Sequence, residues 1–62
     1  MMVNEQTVKE IYANNAKQYK FELEFGSKEM QAYYKGKVHA LGSVLGMTNK
    51  EVDNDINTND YR

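Results

Sequence analysis

The sequence contains no cysteine, no proline and only one histidine among its 62 residues. Without cysteine, neither a disulfide nor a thiolate metal site can support the fold. The lack of proline removes the residue that most often interrupts a helix. We therefore expect no metal and no cofactor, and we expect the fold to depend on helix packing and self-association, as small scaffolds without staples usually do.

Strong net charge and long apolar runs are also missing. The formal net charge is −1, with both signs mixed along the chain, so the basic footprint of a nucleic-acid-binding protein is absent. No stretch approaches the roughly 18 apolar residues of a membrane span, and residues 1–10 lack the apolar centre of a signal peptide. We expect a cytoplasmic protein that has no membrane partner and for which nucleic acid is not a favoured partner.

Apolar residues recur at helical spacing in two long segments. The first set is Val8, Ile11, Tyr12, Ala16, Tyr19 and Leu23. The second set is Met30, Tyr33, Tyr34, Val38, Leu41, Val44 and Leu45. Steps of three and four place each set along one side of a helix, so the pattern predicts two amphipathic helices whose apolar stripes face each other.

The ends of the first helix are marked by polar residues and a glycine. Thr7 and Glu10 have the spacing of a capping box, and Asn4 is an alternative N-cap. Gly26 is placed to end the helix in a left-handed conformation. The segment Tyr19–Phe25 also alternates strictly between apolar and polar residues, which is typical of a half-buried strand. We favour the helix, because no second strand is evident as a partner.

Two further helices are predicted after Gly26. Ser27 is the expected cap of a second helix that ends near Leu45, and Gly46 is a natural stop. Thr48 and Glu51 form another capping-box pattern, which predicts a short third helix over about 49–57, packed across one end of the hairpin. The polar residues 57–62 are expected to form a frayed tail.

Two glycines lie inside the second helix and off its apolar stripe. Gly36 and Gly42 each cost up to about 1 kcal/mol relative to alanine in a helix interior. They are either tolerated surface glycines or positions where another helix approaches closely. The sequence leaves both interpretations open.

Phe21 and Phe25 form the main candidate for a binding surface. If residues 19–25 are helical, the two side chains lie one turn apart on the side opposite the main stripe. Two exposed phenylalanines on one patch are unusual for a soluble monomer. Either the C-terminal segment folds over them or they make an intermolecular contact.

The segment from Val38 to Ile56 resembles the helix-turn-helix family of DNA-binding proteins. Leu45, Gly46, Met47 and Val52 match its pattern around the turn, whereas the family's small residue four before the turn glycine is Gly42 here. The expected recognition helix has the charged residues Lys50, Glu51, Asp53 and Asp55. Such an acidic helix is repelled by phosphates, so DNA binding is the alternative function and not the leading one.

Catalytic groups are sparse. His39 is the only histidine, Ser43 follows four residues later, and no oxyanion-stabilising loop accompanies them. A nucleophile needs a base and a group that orients the base. We therefore interpret His39 as an exposed helix residue and expect no enzyme activity.

A second resemblance lies in residues 33–45, in the sequence YYKGKVHALGSVL. This segment is similar to small proteins encoded by phages and prophages of Gram-positive bacteria, in which a tyrosine-aromatic-x-glycine start precedes alanine-leucine and valine-leucine pairs. The resemblance implies an accessory role in a host cytoplasm, where small phage proteins often bind and block a host protein.

The sequence thus predicts one all-α domain over residues 1–62. We expect an antiparallel helical hairpin with a short third helix, assembled as a homodimeric helix bundle. The leading function is a non-enzymatic protein–protein interaction module, for which the resemblance implies a phage-encoded modulator or inhibitor of a host protein. Its expected partner-binding residues lie on two surfaces: Phe21, Phe25, Glu51, Asp53 and Asp55.

Overall fold

The computed structural model describes residues 4–59, which form three helices and no strand. The helices are α1 (Glu5–Phe25), α2 (Lys28–Val44) and α3 (Asn49–Thr58). The all-α prediction is confirmed, and the strand interpretation of Tyr19–Phe25 is wrong. Residues 1–3 and 60–62 of the predicted domain lie outside the described residues.

Helices α1 and α2 form the predicted antiparallel hairpin. At the closed end, Gln31 Nε2 donates to the backbone oxygen of Glu22 over 3.2 Å. At the open end, Val44 lies in the same surface groove as Val8. The two ends of α2 therefore contact opposite ends of α1.

Short-range caps fix where the helices begin. Asn4 Oδ1 accepts from the backbone N–H of Thr7 over 2.8 Å, so Asn4 is the N-cap of α1 and the Thr7 capping box is wrong. Ser27 caps α2 as predicted. Thr48 and Glu51 form both hydrogen bonds of the predicted capping box, each 3.1 Å long. The caps satisfy backbone donors that have no partner inside the helix.

The two helix-ending glycines behave differently. Gly46 has φ of 82°, a left-handed conformation that favours glycine, and it ends α2 as predicted. Gly26 has φ of −96°, so the predicted left-handed conformation is wrong. Gly26 instead leaves room for the Glu22 carboxylate, which folds over it; a Cβ at Gly26 would overlap that carboxylate and lie 2.9 Å from Glu22 Cα.

The core lies where all three helices meet. Its buried residues are Tyr12, Ala16, Val38, Val52 and Ile56. Helix α3 contributes two of these five side chains. Its contacts with Tyr12 and Lys20 of α1 and with His39 of α2 place it along the hairpin rather than across one end. The core therefore depends on a third apolar surface in addition to the two facing stripes.

Gly42 allows α3 to approach α2. It is buried, and a Cβ at this position would overlap Val52 Cγ2 and lie 3.7 Å from Met47 Cβ. Gly36 has open space around it. Gly42 is therefore a position where another helix approaches closely, and Gly36 is a tolerated surface glycine.

Polar contacts also hold α3 against the hairpin. The Tyr12 hydroxyl lies 2.7 Å from Asp55 Oδ2, and Lys20 Nζ donates to the backbone oxygen of Asn59 over 2.8 Å. Because α3 continues to Thr58, residues 57 and 58 are helical and do not belong to a frayed tail. These contacts anchor the C-terminal half of α3 and the residue that follows it to α1.

Candidate functional site

The Phe21–Phe25 pair lies on the side of α1 that points away from the core. Nine residues correspond to about two and a half helical turns, so Phe21 lies opposite Tyr12 and Phe25 lies opposite Ala16. Their exposed fractions are 53% and 73%. The ring centroids are 5.2 Å apart with the planes tilted by 48°, so the two rings form one apolar patch, as predicted.

The two rings line a shallow groove on α1, and we call this surface the outer face of α1. It is lined by Lys17, Lys20, Phe21, Glu24 and Phe25. All five lie on α1 at steps of three or four residues, so they share one side of the helix. Nothing in residues 4–59 covers the two rings, and the proposed cover by the C-terminal segment is not seen as far as Asn59.

The three predicted acidic residues of α3 have partners within the chain. Glu51 accepts the backbone N–H of Thr48 in the capping box. Asp53 Oδ1 lies 2.8 Å from His39 Nε2. Asp55 accepts hydrogen bonds from the Tyr12 hydroxyl and from the side chain of Asn59. These carboxylates help to hold α3 in place, and their role in binding another protein stays a prediction.

His39 is not the exposed helix residue that the sequence suggested. Its side chain is 18% exposed and faces α3. Nearby, burial raises the pKa of the Tyr19 hydroxyl above its usual 10.0, and the negative charge of Asp53 adds in the same direction. The group of His39, Asp53 and Tyr19 therefore belongs to the contact between α3 and the hairpin.

A second apolar surface was missed by the sequence analysis. Five residues of the predicted stripes are exposed by about two fifths or more: Ile11, Leu23, Met30, Tyr33 and Val44. Met30, Tyr33 and Val44 lie on one side of α2 and form this surface. Lys37 lies on the same side of α2, with Nζ 5.1 Å from the Tyr33 ring centroid. The signal that could have found this surface is Gly42, because a helix approaching there turns the opposite side of α2 outwards.

The corner between α2 and α3, at Gly46, contributes to core packing. The backbone N–H groups of Gly46 and Met47 bond to Ser43 O and Gly42 O over 3.0 and 2.8 Å, a pattern that closes many helix ends. Val52 is fully buried on the other side of the corner, and Leu45 packs against the core. The residues that resemble a helix-turn-helix therefore act in packing.

Within residues 4–59, no three histidine or acidic side chains come together as a metal would require. In the same residues, no helix combines the length and the apolar character needed to cross a membrane.

Comparison with known proteins gives no match for this chain among family models, curated proteins or solved structures.

Proposed function

We propose that this chain is a non-enzymatic protein–protein interaction module that binds through the outer face of α1. The observation that carries the proposal is the exposure of Phe21 and Phe25 on the side of α1 opposite the core. Adjacent aromatic side chains are the anchors that dominate many protein interfaces. Since these rings take no part in the core, a binding role explains them better than a folding role.

The chain's small size supports self-association as part of this function. A domain of about 60 residues buries only about 60% of its unfolded surface, so a monomer is marginally stable. The resemblance of residues 33–45 to small phage proteins supports a bacterial host protein as a further partner. We therefore propose a homodimer that modulates or inhibits such a protein in the host cytoplasm.

DNA binding is the second candidate, and only the corner at Gly46 favours it. On α3, Lys50 is the one cation against Glu51, Asp53 and Asp55. Phosphate neutralisation by cations supplies much of the affinity of DNA-binding proteins. A mobility shift of duplex DNA at low salt would support this function, and no shift under those conditions would remove it.

A photoreactive benzoylphenylalanine in place of Phe25 tests the proposed surface directly. We expect a protein adduct of one defined mass from position 25 in cells, and none from the same group at Ala32, which is exposed elsewhere on α2. The adduct should disappear with Phe21→Ser and persist with Val44→Ser, a matched change on the second apolar surface. Equal adducts from positions 25 and 32 would refute the proposal.

A further inference from the structure

We propose that the partner of the outer face of α1 is a second copy of this chain, bound antiparallel across a twofold axis near Phe21. This inference rests on the proposed function, because it takes that face as a binding surface. It adds the identity of the occupant, the orientation of the two helices and the charged pairs between them.

The order of charges along the outer face of α1 favours an antiparallel copy. Lys17 and Glu24 lie seven residues apart, about two helical turns, so they share one line along the helix with Phe21 between them. An antiparallel copy brings Lys17 of each chain close to Glu24 of the other. A parallel copy would bring like charges together. The face is therefore complementary to itself in one orientation only.

Lys20 has a different role from Lys17. Its Nζ donates to the backbone oxygen of Asn59 over 2.8 Å, which directs it towards the end of α3. Lys17 lies one turn before Phe21, at the position where an antiparallel copy presents its Glu24. The contact between copies is thus expected to depend on Lys17 more than on Lys20.

The exposed area of the two phenylalanines sets the size of the interface. A phenylalanine presents on the order of 200 Å², so exposed fractions of 53% and 73% leave about 250 Å² per chain. Two copies would bury about 500 Å² of aromatic surface. Because apolar area is somewhat more than half of an interface, the total is about 900 Å². Such an interface is at the weak end of specific complexes.

The dimer should therefore depend on concentration. Interfaces below about 1,200 Å² are typical of transient complexes, so we expect mostly dimer at several hundred micromolar and mostly monomer at a few micromolar. The outer face of α1 points directly away from the core. All of its groove-lining residues belong to α1, and α2 and α3 contribute none.

Charge reversal tests the orientation. Lys17→Glu and Glu24→Lys each place like charges at both contacts of the antiparallel dimer, and each variant alone should be monomeric by sedimentation equilibrium where the wild type is dimeric. An equimolar mixture should form a dimer again. In the mixed dimer, one chain supplies a carboxylate at both contacts and the other supplies an ammonium group at both, so both contacts are again attractive.

Matched controls separate this result from an effect of net charge. Lys50→Glu and Glu29→Lys make the same charge changes at exposed positions on α3 and α2, and they should dimerise like the wild type, alone and mixed. The inference is overturned if the wild type stays monomeric at all concentrations, if the Lys17 and Glu24 variants dimerise unchanged, or if their mixture stays monomeric.

Failure of this inference can be told apart from failure of the proposed function. A monomeric chain that still gives the Phe21-dependent adduct from position 25 would contradict the dimer and keep the interaction module. The absence of any such adduct would contradict the interaction module itself.

Discussion

Substitution of Gly42 by alanine tests the close approach of α3 to α2. In a helix interior alanine is favoured over glycine by up to about 1 kcal/mol. Here the added methyl group would overlap Val52 Cγ2. Val52 is fully buried and β-branched, so its side chain has little freedom to move away. Overpacking of this kind costs about 1–3 kcal/mol, so we expect a net loss of stability of up to about 2 kcal/mol.

Gly36→Ala is the matched control in the same helix. Nothing lies within 4 Å of a Cβ at that position, so the variant should gain up to about 1 kcal/mol. In a domain of this size 1 kcal/mol corresponds to about 4–8 °C in Tm. Thermal unfolding followed by circular dichroism should therefore show shifts of opposite sign for the two variants.

A double variant identifies the source of the Gly42 effect. Val52→Ala removes the methyl groups that the new side chain would overlap, so Gly42→Ala should cost less in that background, with a coupling of about 1 kcal/mol. If Gly42→Ala raised the Tm as much as Gly36→Ala does, the close packing of α3 on α2 would be refuted.

The remaining predictions concern the polar contacts of α3 and the cap that begins it. Tyr12→Phe should cost about 1–3 kcal/mol in urea unfolding, because it removes a hydrogen bond to the Asp55 carboxylate; an unchanged midpoint would contradict that role. The raised pKa of Tyr19 means that the folded state holds the phenolic proton more tightly than the unfolded state. Its contribution to stability is complete below pH 10.0 and is lost as the pH rises through the folded-state value. Unfolding at successive pH values above 10.0 should thus show a shallower decline for Tyr19→Phe, and identical declines would refute the shift. Thr48→Ala should lower stability by about 1 kcal/mol through loss of the cap, whereas the exposed Ser43→Ala should have a smaller effect.

Local features of the fold could be predicted from the sequence because their causes act over a few residues. Ser27 and Thr48 accept hydrogen bonds from donors three residues later. Gly46 ends α2 by its own conformation. The position of the Phe21–Phe25 pair follows in the same way, since helical geometry alone places it opposite Tyr12 and Ala16.

The side of α2 that faces the core could not be predicted in the same way. The apolar stripe on α2 is wider than the surface that α1 covers, and the position of α3 decides which part is buried. Because Val52 packs at Gly42, Val38 is buried, whereas Tyr33 and Val44 on the other side of α2 stay exposed. Periodicity within one helix carries no information about where a later helix will pack.

The roles of the acidic residues were hidden for a related reason. The Tyr12–Asp55 hydrogen bond joins residues 43 positions apart, and the His39–Asp53 contact joins residues 14 apart. Charge counting showed that α3 is acidic, which is correct. It could not show that these carboxylates lie against a tyrosine and a histidine of the hairpin.

Helix α1 is proposed to pack the core with one side and to bind a second copy with the other. The most direct test is a dilution series of amide NMR spectra from about 1 mM to about 10 μM, in the range expected for a transient complex. We expect concentration-dependent shifts in residues 14–25, on the side of Phe21 and Phe25, while the amides of α3 stay unchanged. Shifts centred on Tyr33 and Val44 instead, or spectra that do not change with concentration, would contradict self-association through the outer face of α1.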